Sequence, residues 1–280
     1  MPSHDEWAER QTETTVGVDG HDLTVAYYED GTDADGPPVV FLHGIPTWSF
    51  LWRDVAPALA SDRHVIAPDL VGYGNSAMHD GFDRSIRAQE QVLADLVAEY
   101  ETVSLVGHDI GGGVALRYAS HHPDAVDDLV LSNAACYDSW PVEFVNGLGL
   151  PETAARDPEA FEEDFTFLFA EGLYGDADDH AAFVEGMAAP WRSPAGRTSL
   201  VRNAVATNTN HTTEIDYGAI SARTLLLWGA DDVLQTVDYA ERLAEDLSGD
   251  TSLVTLPEAY HWVVEDRPAA YRDHVRRFLA

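Results

Sequence analysis

Along the 280-residue chain, short apolar runs alternate with longer stretches whose apolar positions recur at helical spacing. Residues 14–18 and 23–28 read as two early strands joined at the Asp19-Gly20 turn. Residues 38–42, 64–67 and 103–106 are largely apolar, as expected of strands buried on both faces of a parallel sheet. Helical stretches separate them at 50–60, at 84–100 and at 113–120. In the second of these, Ile86, Val92, Leu93, Leu96 and Val97 fall on one side. Strands at 128–131, 224–228 and 252–256 and helices at 237–247 and 268–279 complete the alternation. This order predicts an α/β fold, a mostly parallel eight-stranded sheet covered by helices on both faces.

Between Ala134 and Ser221 the rhythm breaks. The segment has no buried-strand run, is rich in Phe, Tyr and Trp, and is interrupted by Gly147, Pro151, Pro190 and Pro194. Structureless loops of that length are uncommon, so a mostly helical lid inserted after the sixth strand is expected. The predicted organisation is a core of residues 1–134 and 221–280 with a helical cap at 135–220.

Charge narrows the range of partners. The chain carries 49 Asp and Glu against 16 basic residues, a formal net charge of −33, and all 16 basic residues are arginine. Such a field repels phosphate backbones and anionic lipid, which argues against nucleic-acid and membrane partners. It also repels itself, and at ~1 M salt the Debye length falls to roughly 3 Å and screens that repulsion. A salt-rich cytoplasm is therefore the expected setting. Cys136 is the single cysteine, so neither an internal disulfide nor a Cys-rich metal site is expected. Residues 1–11 are polar and lack the apolar stretch of a secretion signal, which points to a cytoplasmic protein. The acidic run Asp30-Gly-Thr-Asp33-Ala-Asp35-Gly36 has no glutamate where a calcium loop needs one and reads as a solvated turn.

The chemistry-bearing pattern begins at the end of the strand at 103–106. It runs into Gly107-His108-Asp109-Ile110-Gly111-Gly112, and a helical pattern follows. Strand, tight turn and helix with glycines flanking one residue is the layout of a nucleophile elbow, here centred on Asp109. Ser76, in Gly74-Asn75-Ser76-Ala77, lacks the second glycine and reads as a turn residue. A nucleotide-binding role for Gly72–Ala77 is weak because no helix pattern opens there. Phe41-Leu42-His43-Gly44-Ile45-Pro46 ends the third strand and can turn an amide toward the elbow, so the amides of Ile45 and Ile110 are oxyanion-hole candidates. Trp228-Gly229-Ala230-Asp231-Asp232 places carboxylates after the seventh strand, and Ala259-Tyr260-His261-Trp262 follows the last. Nucleophile, acid, histidine is the chain order of one particular triad fold.

These segments resemble the α/β-hydrolase family over most of the core. Aspartate at the elbow is similar to the branch containing haloalkane dehalogenases, fluoroacetate dehalogenases and epoxide hydrolases. The run from His43 through Trp48 to Arg53 resembles the haloalkane dehalogenase segment, and Asp69–Ser76 a loop of the wider family. The resemblance implies Asp109 as nucleophile, His261 as base and Asp232 as the acid orienting it, with Asp231 the alternative acid. It implies no cofactor and no metal, with a small-molecule substrate and water as partners. Assembly into a homo-oligomer stays open.

An ionised carboxylate needs no base to attack, and it suits displacement at a saturated carbon bearing a leaving group. Histidine would then activate water against the resulting ester. Haloalkane dehalogenases carry tryptophan and, often, asparagine at the positions of Ile110 and Ile45, where they donate to the halide. The candidates for that role here are Trp48, Asn133, Trp140 and Trp191. Epoxide hydrolases use lid tyrosines, for which Tyr137, Tyr174 and Tyr217 are available, although Thr47 stands where they commonly carry glutamate. Fluoroacetate dehalogenases fit least, since Ile110 and Gly113 replace their carboxylate-clamping arginines. A dehalogenase-like hydrolase acting on small apolar substrates is the first expectation and an epoxide hydrolase the second. A general esterase or a non-catalytic binding protein of the same fold would be a different outcome.

Overall fold

The computed structural model describes residues 1–206 and 208–280. Among the described residues the eight strands are β1 (Gln11–Val18), β2 (His21–Asp30), β3 (Val39–Leu42), β4 (Val65–Pro68), β5 (Val103–His108), β6 (Val126–Ser132), β7 (Arg223–Gly229) and β8 (Thr251–Leu256). They form one sheet in the order β1-β2-β4-β3-β5-β6-β7-β8. β1 pairs antiparallel with β2, and β2 with β4; every later pairing is parallel. The expected eight-stranded α/β fold is present.

Burial follows the sequence pattern. Every residue of β3, β4 and β5 is buried, whereas β1, at one edge, exposes alternate side chains near its end. Central strands covered on both faces need apolar residues at every position, and an edge strand does not. Helices Ile86–Leu96 and Ile110–His121 pack on each other, and the second lies against β5. Ser85 caps the first of them by accepting from the Ala88 amide at 3.3 Å.

One expectation differs from the structure. The helix expected at 50–60 is a 3-10 turn, Ser49–Trp52, followed by a short helix, Val55–Leu59. Pro57 has no amide to offer the Arg53 carbonyl, which breaks a helix begun at residue 50 but costs nothing in the first turn of one begun at Val55. A further helix, not anticipated from the sequence, lies at His4–Ala8, capped by Ser3 and Glu6. Its Trp7 is fully buried, stacks on Tyr28 at 4.5 Å and donates to Ser49 Oγ at 3.0 Å. One apolar residue among polar ones left no periodicity from which to read it. Asp33, Asp35 and Gly36 lie exposed in the acidic turn.

From β6 to β7 the chain runs through helices Glu143–Leu148, Pro151–Ala155, Pro158–Glu171, Ala181–Ala188, Pro194–Val205 and Asn210–Thr213. Proline opens three of them, at the first helical turn, where its missing amide would have had no partner. Among the described residues, no helix is long and apolar enough to cross a membrane.

Candidate active site

Because β3, β5, β6, β7 and β8 are consecutive neighbours and parallel, the residues just after them share one edge of the sheet. Ile45, Asp109, Asn133, Asp232 and His261 all lie there. Ligands bind in open α/β sheets at the carboxyl ends of the strands.

Asp109 follows β5 directly and has φ of +52°, a backbone conformation uncommon outside glycine. The turn is tight: Cβ atoms added at Gly107 and Gly111 would lie 2.7 and 2.2 Å from the carbonyl oxygens of Gly111 and Leu42. Helix Ile110–His121 can therefore sit close against β3, with Asp109 at its tip. The carboxylate is buried, and its two oxygens have different surroundings. Oδ1 accepts from the Ile45 amide at 2.8 Å, while Oδ2 faces His261 Nε2 at 3.8 Å. Burial pushes the carboxyl up to about 6, although His261 and the amides of Ile110 and Ile45 favour its charged form. The group is thus mostly ionised at neutral pH, but less completely than an ordinary aspartate.

His261 Nδ1 lies 3.0 Å from Asp232 Oδ2. Burial disfavours the imidazolium, but Asp232, the hydrogen bond to it and Asp109 outweigh burial and raise the pKa. Asp232 is nearly fully buried, which alone would raise its pKa. His261, Asn133 and the Leu234 amide hold it below the ordinary carboxylate range instead. Asp231, the alternative acid, is exposed and accepts from the Glu258 amide at 3.1 Å. His108 packs against the histidine, with ring centroids 4.9 Å apart, and burial keeps it neutral.

The turn bearing Ile45 is held by His43, whose Nε2 accepts from the Leu70 amide at 2.9 Å and whose Nδ1 lies 2.9 Å from the Gly44 carbonyl. Those contacts put the proton on Nδ1, and burial lowers the His43 pKa to about 4. Ser76 is a turn residue, as expected, with Oγ donating to the Asp69 carbonyl at 2.6 Å.

Most of the candidate leaving-group residues do not turn their polar ends toward Asp109. Trp48 Nε1 donates to the Gly186 carbonyl at 2.8 Å, and Trp191 Nε1 to the Pro46 carbonyl at 2.8 Å. Asn133 donates through Nδ2 to Asp232 Oδ2 and accepts from the Gly229 amide, so its side chain is tied to Asp232 and to the end of β7. Tyr137 donates to Asp246 at 2.8 Å, and Tyr217 to the Thr212 carbonyl at 2.9 Å. Tyr174 is 40% exposed and packs on Tyr260. Sequence gives side-chain chemistry but not direction, and all of these groups except the exposed Tyr174 found a backbone or carboxylate partner elsewhere.

Trp140 is different. It is 2% exposed, its Nε1 has no partner among the described residues, and it lines a small cavity with Asp109 and His261. Ile45, Phe144, Val145, Leu234, Gln235 and Trp262 complete most of that wall, which has about 10 Å³ of space for a water-sized body. Apart from Ile45, these residues carry no motif by which sequence could have marked them. Only their nearness to Trp140, Asp232 or His261 in the chain offered a signal.

Comparison with known proteins fits this geometry. Residues 37–268 match the family described as the alpha/beta hydrolase fold. Haloalkane dehalogenase 2 of Mycobacterium tuberculosis is 28% identical over 256 residues, covering 87% of each chain. The soluble epoxide hydrolase of Corynebacterium sp. is 28% identical over 276 residues, 89% of this chain and 92% of its own. The crystal structure of an alpha/beta hydrolase fold protein from Burkholderia ambifaria superposes with a TM-score of 0.82 at 26% identity, covering 94% of this chain and 96% of that one. The chain belongs to the α/β-hydrolase family. Within that family it is a hydrolase with haloalkane dehalogenase and epoxide hydrolase relatives.

Proposed function

We propose that this hydrolase forms a covalent alkyl ester on Asp109 and acts, without a cofactor, as a haloalkane dehalogenase-like enzyme on small, mostly apolar substrates. The observation that carries this reading is the asymmetry of the Asp109 carboxylate. One oxygen sits on the Ile45 amide and the other is directed at His261.

Oδ2 attacks the substrate carbon, the bond to the leaving group breaks, and that group departs with the electron pair. Oδ1 becomes the ester carbonyl oxygen, already seated at the Ile45 amide, with the Ile110 amide close enough to favour charge on the carboxylate. A water attacks Cγ and gives its proton to His261 Nε2, while negative charge gathers on Oδ1. Collapse breaks the bond from Cγ to the alkyl oxygen, and the alcohol takes the proton back from His261. The remaining carboxylic acid loses its proton to water. Asp232 stabilises the imidazolium through its 3.0 Å contact with Nδ1. The cavity now admits one water-sized body, so an organic substrate enters only if the helical segment from β6 to β7 shifts.

Single turnover in heavy-oxygen water tests the reading. The label is expected on Asp109 and not in the alcohol; an unlabelled Asp109 overturns it. A panel of bromoalkanes and styrene-type epoxides separates the substrates. Bromide release without epoxide opening supports the dehalogenase assignment, and the reverse selects an epoxide hydrolase, whose ester would be the same. Hydrolysis of p-nitrophenyl esters alone would indicate an esterase, and silence throughout a binding protein. The charge of −33 further supports a protein of a salt-rich cytoplasm, with an unfolding temperature that rises from dilute buffer to molar KCl. A fall would reject that setting.

A further inference from the structure

His261 stands in the loop that leaves β8, and whatever holds that loop decides where the imidazole points. Toward the sheet and its turns the loop is fixed on either side of the base. The Ala259 carbonyl accepts from the Asp231 amide at 3.0 Å, and Glu265 pairs with Arg53 at 2.6 Å. Between these points, the two residues that flank His261 bond in another direction. The Trp262 amide donates to the Gly172 carbonyl at 3.1 Å, and Trp262 Nε1 to the Phe169 carbonyl at 3.2 Å. The last carbonyls of a helix have no partner further along it, so the carboxyl end of helix Pro158–Glu171 has acceptors to offer. The Tyr260 amide donates at 2.8 Å to Asp266 Oδ2, and Oδ1 of the same carboxylate accepts from the Tyr174 amide at 3.0 Å. One side chain thus fastens the residue before His261 to the helical segment, and the residue after His261 is fastened directly.

Packing follows the same line. Trp262 is 2% exposed, stacks on Phe169 with ring centroids 4.9 Å apart, and sets its ring against that of His261 at 4.8 Å. A Cβ at Gly172 would lie 2.5 Å from Trp262 Nε1, although φ there is −96°, which any residue can adopt. The glycine serves the close approach, not the turn. Asp109 is held differently: it sits at the end of β5, with one oxygen on the Ile45 amide. The nucleophile is placed by the sheet, the base by the sheet and the helical segment together.

We propose that Asp266 and Trp262 are positioning residues through which residues 169–174 hold His261, so that hydrolysis of the ester depends on this part of the helical segment and formation of the ester does not. On the aspartyl-ester reading, on which this rests, Asp109 can attack with the base displaced, because that step moves no proton. Attack of water on Cγ instead needs Nε2 within reach of the proton it takes. A misplacement of about 1 Å can cost roughly 10²-fold in rate. A shift of residues 169–174 that admits substrate therefore leaves the nucleophile ready and draws the base aside. Their return restores water activation.

Rapid-quench single turnover of the intact chain, with mass spectrometry of the trapped ester, tests this on whichever bromoalkane or epoxide is turned over. In Asp266→Ala and Trp262→Phe the ester is expected to form within about threefold of the wild-type rate and to decay at least about tenfold more slowly. Gly172→Ala, which crowds Trp262 and leaves the carboxylate bridge in place, is expected to act in the same direction. An ester that forms also reports a folded sheet and elbow; if Asp266→Ala forms none, the two milder variants decide. Decay at the wild-type rate in Trp262→Phe and Gly172→Ala, or formation and decay slowed alike, overturns the proposal. If the wild-type chain forms no ester, the aspartyl reading fails by itself, and the downfield NMR resonance of the proton between His261 Nδ1 and Asp232 still tests the tie. That resonance is expected to shift or broaden in Asp266→Ala and Trp262→Phe; one that does not move overturns the positioning role.

Discussion

At the carboxyl edge of the sheet, Asp109, Asp232 and His261 stand within a few residues of β5, β7 and β8, and their polar atoms converge on one another. In the helical segment from β6 to β7, the polar tips of Tyr137 and Tyr217 and the Gly186 carbonyl are engaged in contacts that hold the segment to itself and to the core. The contrast comes from how each region is constrained. A strand end fixes the direction of the next side chain, because the register of the sheet fixes the strand. Short helices joined by turns leave their side chains free to find whichever partner packing brings near. Trp140, which lies between the two regions, keeps its N–H unpaired in the wall of the cavity it shares with Asp109 and His261.

Breaking the edge should have the largest effect. With His261→Gln, bromoalkane turnover is expected to fall by about 10³-fold or more, while bromide is still released once per active site, since alkylation needs no base. Rapid-quench measurement of that burst, with mass spectrometry of the trapped ester, checks it. Loss of the burst together with turnover would place His261 in the first step instead.

A smaller effect is expected from the buried charge at the elbow. The carboxyl of Asp109 titrates at about 6 in the folded chain, above an unfolded value near 4, so the folded state holds that proton more tightly. Ionising Asp109 therefore opposes folding, by an amount that grows as pH rises from about 4 to about 6 and then stays constant. Asp109→Asn is expected to stabilise the chain by roughly 1–3 kcal/mol at pH 7 and by almost nothing near pH 4, read by denaturant melts at both pH values. Wild-type activity should decline as pH falls through about 6, as Asp109 protonates and the base form of His261, whose pKa is raised, is depleted. A stability difference that does not change with pH would contradict the assigned direction.

The smallest effect should come from the helical segment. Trp48→Phe removes the bond to the Gly186 carbonyl and is expected to lower stability by about 1 kcal/mol while kcat/KM stays within about threefold. A selective loss of kcat on bromoalkanes would mean that Trp48 reaches the leaving group after all, and the contrast drawn between the two regions would narrow.

Apolar runs, glycine spacing and the order of chemical residues were enough to predict the sheet, the tight turn at Asp109 and the placing of Asp232 and His261 after later strands. Each of these depends on local pattern or on chain order, which folding carries over unchanged. Asp232 was preferred to Asp231 only through the family resemblance; the physical difference between the two, one buried against His261 and the other left in water, appears in the structure. Asn133 was one candidate for the leaving group, but its amide donates to Asp232, on the loop after the neighbouring strand β7. The short helix around Trp7 and the ties from Trp262 and Asp266 to the helical segment were likewise decided by contacts between residues far apart in the chain. A sequence records which polar groups exist; only the packed chain determines which of them are left without a partner, and where.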